Sequence, residues 1–120
     1  MPADTPEAAA AGWVRKLTKD FKNRAAVTLG DRGLAFGAGG DRVRFMKAFP
    51  VKAVDSTAAG DVFHGAFGWT VLSGQTWEEG LAFASAAAAL SVQKIGGRPS
   101  IPRLPEVLAF IGTYGYPQAL

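Results

Sequence analysis

Apolar residues near the start of the chain recur at helical spacing. Trp13, Val14, Leu17 and Phe21 fall on one side, while Lys16, Lys19 and Lys22 mostly turn outward. Thr5-Pro6-Glu7 ahead of them opens a helix: a capping hydroxyl, a proline whose missing N–H does no harm, and an acid in the first turn. The period then shortens. Ala25-Ala26-Val27-Thr28-Leu29 is a short apolar run stopped by Gly30, the pattern of a buried strand. Leu34 to Phe36 is placed to pair back across the turn at 30–33. Gly37-Ala38-Gly39-Gly40-Asp41 reads as a second turn. Val43 to Phe49 follows as a strand with Val43, Phe45 and Phe49 on one face and Arg44 on the other.

The second half is helical. One helix is predicted from near Ala59 to Gly74, burying Val62, Phe63, Ala66, Phe67 and Val71. Thr76-Trp77-Glu78-Glu79 is a capping box, so a second helix begins there and runs to about Lys94, ended by Gly96-Gly97. Its alanines at 82, 84 and 86–89 suit close packing against a neighbour, and Trp69 and Trp77 are expected to pack. Pro105 and Glu106 open a last helix through Phe110 and Ile111, closed by Gly112. No internal repeat interrupts the order. Strands leading into helices imply an α/β layer protein.

A length of 120 residues is one domain's worth of chain. Hydrophobic residues are 48% of it, but 22 of the 120 are alanine, so Phe, Trp and the aliphatics must supply most of the hydrophobic stabilisation. The absence of cysteine excludes disulfide scaffolds, thiolate zinc sites and cysteine nucleophiles. A single histidine, His64, excludes any metal site needing two imidazoles and weakens a serine–histidine hydrolase reading. Asp4 and Glu7 precede the basic residues, the reverse of a secretory signal, and the apolar stretch 81–92 is too short to span a bilayer. A soluble, cytoplasmic chain with no membrane partner is the expectation.

Charge is unevenly spread. Residues 15–52 hold 10 Lys/Arg against 3 Asp, a local +7, and the remainder holds 3 basic and 7 acidic residues, a local −4. The basic charges lie on a helix, a turn and strands with no aromatic-basic motif among them. A solvated face that also attracts a polyphosphate accounts for them better than a nucleic-acid partner does.

One stretch carries the chemistry: Asp55-Ser56-Thr57-Ala58-Ala59-Gly60-Asp61-Val62-Phe63-His64-Gly65-Ala66. Small residues crowd the point where an extended segment turns into a helix. They let backbone N–H groups approach a bulky anion, and a helix start offers unpaired donors and a positive dipole end. Asp61 lies in the first turn beside them. A carboxylate there is placed to accept a proton from a substrate hydroxyl. A lone first-turn aspartate would need no such role, being favourable for the dipole alone.

This aspartate does not stand alone. The whole stretch resembles the signature of the PfkB carbohydrate kinase family, the ribokinase-like fold, which reads Asp-Thr-x-(Gly/Ala)-(Ala/Gly)-Gly-Asp-x-Phe-x-Gly, with Ser56 here in place of the usual threonine. Thr28-Leu29-Gly30-Asp31-Arg32-Gly33 looks like the family's nucleotide-contacting turn. Leu81 to Ala89, followed by Gly96-Gly97-Arg98-Pro99-Ser100-Ile101-Pro102, looks like the helix and loop that close the adenine site. The resemblance covers about residues 25–112. It implies that residues 1–120 are a single segment, the C-terminal part of a three-layer αβα ribokinase-like fold, with short strands followed by three helices.

By that resemblance Asp61 is the base that deprotonates a sugar hydroxyl, and Ala58, Ala59 and Gly60, with the Asp61 amide, form the anion hole for the γ-phosphoryl group of ATP. Thr28, Gly30, Asp31 and Gly33 line the nucleotide site with Gly60, and Ser85 lies near the adenine. Ribokinase-like members also hold a monovalent cation such as K+; the matching positions are Asp55, Thr57, Ser91, Lys94, Gly96 and Ser100, several through backbone carbonyls. His64 falls at a variable position and reads as a helix-surface or core residue. Gly37-Ala38-Gly39-Gly40 is no dinucleotide fingerprint, because Arg42 occupies the third glycine's position.

Family members are well over twice this long. The Asn-x-x-Glu motif associated with Mg2+ is missing, since the only asparagine, Asn23, is followed three residues later by Ala26. The chain therefore reads as a C-terminal fragment, a truncated gene product or half of a split enzyme. Two function classes follow: the nucleotide-binding, catalytic portion of an ATP-dependent sugar kinase, or a non-catalytic nucleotide-binding or interaction module derived from one. A cut sheet would leave an open strand edge and an apolar face at Val27, Leu29, Phe45 and Phe49. That predicts a homo-oligomer or a covering partner chain.

Overall fold

In the computed structural model, residues 5–21, 23–37, 42–95 and 101–115 are described. The elements are α1 (Pro6–Phe21), β1 (Ala25–Thr28), a 3-10 turn (Gly30–Arg32), β2 (Leu34–Gly37), β3 (Arg44–Met46), α2 (Ala59–Leu72), α3 (Trp77–Val92) and α4 (Leu104–Tyr114). They fall into two compact units, one running through Ala48 and the other starting at Phe49.

In the first unit the Thr5 hydroxyl accepts from the Ala8 N–H at 3.1 Å and caps α1 as its sequence predicts. The buried stripe of α1 differs from the expected one: it runs through Ala10, Ala11, Val14 and Thr18, and Trp13 is 56% exposed. Small side chains at Ala10 and Val14 let the helix seat closely on the sheet, which an inward indole would prevent. Thr18 tolerates burial because its hydroxyl donates to the Val14 carbonyl at 2.9 Å.

The sheet has the order β1-β2-β3 and is antiparallel throughout, with Ala25 opposite Gly37, Thr28 opposite Leu34 and Leu34 opposite Met46. All four residues of β2 are buried, as befits a central strand. β3 stops at Met46, well short of Phe49. Its partner β2 begins at Leu34, opposite Met46, so residues 47–49 have no strand to pair with. Phe49 instead enters the core of the second unit. Val27, Leu29, Val43 and Phe45 pack against Ala10, Val14 and Ala35. The apolar face expected to lie open is therefore covered by α1. The second turn expected at 37–41 lies largely outside the described residues.

The second unit packs α2 against α3. At their crossing Gly80 is buried, and a Cβ there would sit 2.6 Å from Thr70 Oγ1, so no larger residue allows the approach. Ala82, Ala84, Ala86, Ala87 and Ala89 are buried along α3, as their run predicts. On α2, Val62 and Phe63 are buried but Val71 is exposed. Thr70 takes the inward position, its hydroxyl donating to the Phe67 carbonyl at 2.7 Å. Trp77 packs edge-on to Phe67, and Trp69 lies against Phe83. Gly112 does not end α4. The helix runs on to Tyr114 and stops at Gly115, whose φ of 74° only glycine adopts freely. Among the described residues no helix is long and apolar enough to cross a membrane.

Candidate active site

The segment leading into α2 is tied down before the helix begins. The N–H groups of Val54 and Asp55 both donate to the Val92 carbonyl, at 2.6 and 3.0 Å, pinning the segment to the end of α3. Asp55 Oδ1 then accepts from the Thr57 N–H at 2.9 Å and from the Thr57 hydroxyl, a local turn that reverses the chain. The Ser56 carbonyl accepts from the Ala59 N–H at 3.2 Å, and α2 starts.

No side chain caps this start. Among the described residues, the N–H groups of Ala58, Gly60 and Asp61 meet no acceptor, whereas that of Ala59 is engaged by Ser56. A Cβ at Gly60 would meet nothing within 4 Å, so the space beside Gly60 is open. Asp61 is exposed and lines a cleft of about 530 Å3 between α2, α3 and the start of α4, with Val62, Gly65, Trp69, Phe83 and Leu104 among its walls. Among the described residues it is the only charged side chain in that wall. An anion at the helix start and a hydroxyl in the cleft mouth would thus both be within the reach of one short segment.

The remaining predicted residues divide between the two units. Thr28, Gly30, Asp31 and Gly33 belong to the first, where the turn closes through Leu29 N–H to Gly33 carbonyl at 2.7 Å and Gly33 N–H to Gly30 carbonyl at 3.2 Å. Gly30 and Gly33 have φ of 60° and 95°. Beside them Arg32 Nη1 bonds Glu7 Oε1 at 2.8 Å, which holds the Glu7 carboxyl below its ordinary range and raises the guanidinium. Ser85, half-buried on α3, belongs to the second unit with Asp61.

Of the cation positions, the structure brings Asp55 and Thr57 together at the end of α3, where Ser91 is buried and its carbonyl accepts from the Lys94 N–H at 3.2 Å. The Lys94 ammonium pairs with Glu106 Oε2 at 3.3 Å and, having no lone pair, is no cation ligand, so only the Lys94 backbone carbonyl could serve. Gly96 and Ser100 lie outside the described residues. One carboxylate among hydroxyl and carbonyl oxygens suits a singly charged hard cation. Among the described residues there is no group of three His, Asp or Glu side chains that would hold a divalent metal by itself.

Two features escaped the sequence. His64 Nδ1 lies 2.6 Å from the Gly60 carbonyl. Its only sequence signal is the four-residue spacing of the pair on one helix. The cleft wall at Asp61, Gly65 and Trp69 repeats the same spacing, one face of α2.

Strand-turn-strand units followed by a small-residue loop that opens a helix with an acid in its first turn define a portion of a ribokinase-like kinase fold. Known proteins agree. A model of the pfkB family carbohydrate kinases matches residues 2–104. The ribokinase of Haemophilus influenzae is 42% identical over 85 residues, which is 71% of this chain and 28% of that protein. The crystal structure of ribokinase from Thermotoga maritima superposes with a TM-score of 0.74 at 38% identity, over 88% of this chain and 39% of that one. Arabidopsis thaliana ribokinase, solved with ribose and ATP, gives a TM-score of 0.76 at 35% identity, over 92% of this chain and 36% of that one. The chain belongs to the pfkB family of carbohydrate kinases. It spans under a third of the Haemophilus protein's length.

Proposed function

We propose that this chain is the nucleotide-binding and base-bearing portion of an ATP-dependent sugar kinase. The observation that carries the reading is Asp61, exposed in a cleft beside a helix start where the N–H groups of Ala58, Gly60 and Asp61 have no acceptor among the described residues. Membership of the family supports it, as does a relative solved with ribose and ATP. In the reaction the Asp61 carboxylate takes the proton of a sugar hydroxyl. The hydroxyl oxygen then bonds to the γ-phosphorus, and the bond from that phosphorus to the bridging β-γ oxygen breaks, releasing ADP. The N–H groups of Ala58, Gly60 and Asp61, with Ala59 shaping the loop, hold the charge on the transferred group. Thr28, Gly30, Asp31, Gly33 and Ser85 contribute to the nucleotide site.

Mg2+ would enter on the nucleotide's phosphates, since the described residues offer no carboxylate cluster for it, and it supplies charge neutralisation there. Asp55, Thr57, Ser91 and Lys94, with Gly96 and Ser100, would hold K+. The sugar and most of its recognition belong to a kinase portion this chain does not span. Phosphoryl transfer therefore requires that portion, either from a partner chain or from longer sequence.

A second reading, a non-catalytic nucleotide-binding module, is favoured by one observation, the absence of Asn-x-x-Glu. A reconstituted complex that binds nucleotide but transfers no phosphoryl group favours that second reading, and in an active, reconstituted enzyme Asp61→Asn tests the first. The amide keeps the shape but cannot take the proton, so phosphoryl transfer falls by about 10²–10⁴ while nucleotide affinity stays within a few-fold. Near-normal turnover in Asp61→Asn would remove the assigned role.

A further inference from the structure

His64 sits one turn into α2, exposed, with its ring 5.9 Å from that of Phe63 and its Nδ1 2.6 Å from the Gly60 carbonyl oxygen. A carbonyl can only accept, so in this contact Nδ1 carries the proton and donates. The carbonyl it reaches is half of a peptide unit whose other half is the Asp61 N–H, one of the donors left open at the helix start. A peptide group transmits polarisation: a hydrogen bond accepted at its oxygen makes its N–H a stronger donor. The same carbonyl is also the normal helical acceptor for the His64 backbone N–H, so the imidazole adds a second donor to one oxygen.

We propose that His64 is a positioning residue for phosphoryl transfer, which polarises and fixes the Gly60–Asp61 peptide so that the Asp61 N–H binds the transferred phosphate more strongly. The inference rests on the anion-hole reading above. It adds to it a residue that touches neither nucleotide nor sugar and acts through the Gly60 carbonyl alone. Any side chain able to donate to a carbonyl four residues earlier should serve. Among the described residues hydroxyls already make such bonds: Thr18 to the Val14 carbonyl at 2.9 Å, Ser73 to the Trp69 carbonyl at 2.8 Å and Thr113 to the Ala109 carbonyl at 3.2 Å.

The test uses two variants of the whole chain and two readouts. His64→Leu removes the donor, and His64→Ser restores one at the same carbonyl. In the protein without nucleotide, the Asp61 amide proton resonance should move upfield in His64→Leu and stay near its wild-type position in His64→Ser. In calorimetry with adenosine 5′-(β,γ-imido)triphosphate and Mg2+, His64→Leu should bind about fivefold more weakly and His64→Ser within about twofold of wild type. Equal melting temperatures exclude a general loss of structure. An Asp61 amide indifferent to His64→Leu, or a serine variant as weak as the leucine one, overturns the proposal. A wild-type chain that binds no nucleotide while its Asp61 amide still responds to His64→Leu would overturn the anion-hole reading and leave the polarisation standing.

Discussion

Gly33 closes the turn between β1 and β2, and two separate demands fall on it. Its φ of 95° lies where L-residues are strained, and a Cβ would overlap the Met46 carbonyl oxygen and reach 3.0 Å from the Ala48 nitrogen. Gly30, three residues earlier, has φ of 60° but open space around it. Gly33→Ala should therefore destabilise the chain by more than Gly30→Ala, which carries only the left-handed penalty of about 1–2 kcal/mol. Urea unfolding of the two variants measures the order, and a larger loss at Gly30 would mean the turn is built otherwise. At this scale the residues of the candidate site were largely legible. Asp61, Gly60 and the two turn glycines stand out because residue type alone decides which backbone shapes and charges they permit. The His64 contact was not legible, since it depends on one rotamer among several that a helix allows.

Among the elements, α3 starts on a reciprocal cap and α4 on one half of such a cap. The Thr76 hydroxyl accepts from the Glu79 N–H and the Glu79 carboxylate from the Thr76 N–H, both at 3.2 Å, and Glu106 accepts from the Arg103 N–H at 3.0 Å. The Thr76 hydroxyl beside the Glu79 carboxylate, then the Thr76 N–H donating to it, lowers the Glu79 pKa. The Arg103 backbone bond, then Lys94, lowers that of Glu106. Both values lie below the ordinary 4.5, so the carboxylates contribute fully above that pH. Their contribution is lost as pH falls through the depressed values. Thr76→Ala should cost about 1 kcal/mol at neutral pH and shrink the stability lost between pH 5 and pH 3. Denaturant titrations at the three pH values check both; an unchanged acid loss would dissociate Glu79 from the cap. These helix starts were readable because caps are local. The length of β3 was not, because a strand extends only as far as its partner. Nor was the end of α4: an interior glycine such as Gly112 costs only about 1 kcal/mol against alanine, so it need not stop a helix, whereas Gly115 at positive φ does.

For the whole molecule, the edges matter more than the face. Among the described residues no further strand pairs with β1 or β3, while α1 covers the face carrying Val27, Leu29 and Phe45. Large apolar side chains also stand in solvent, with Leu72 89% and Ile95 76% exposed. Unpaired edges and such residues recruit another chain or aggregate. The isolated chain is expected to be an oligomer or a marginal, aggregation-prone monomer; light scattering with thermal unfolding decides, and a monodisperse monomer melting cooperatively at high temperature contradicts it. The family was legible from one twelve-residue stretch, but which apolar positions face inward was set by packing that no local pattern encodes, as Trp13 and Val71 illustrate. This portion of a pfkB-family protein is expected to hold the nucleotide by itself. Calorimetry of the folded chain with a non-hydrolysable ATP analogue and Mg2+ tests it most directly. Saturable heat that weakens when Gly60→Val fills the space beside the Asp61 N–H is the predicted result, and no heat at millimolar nucleotide would contradict it.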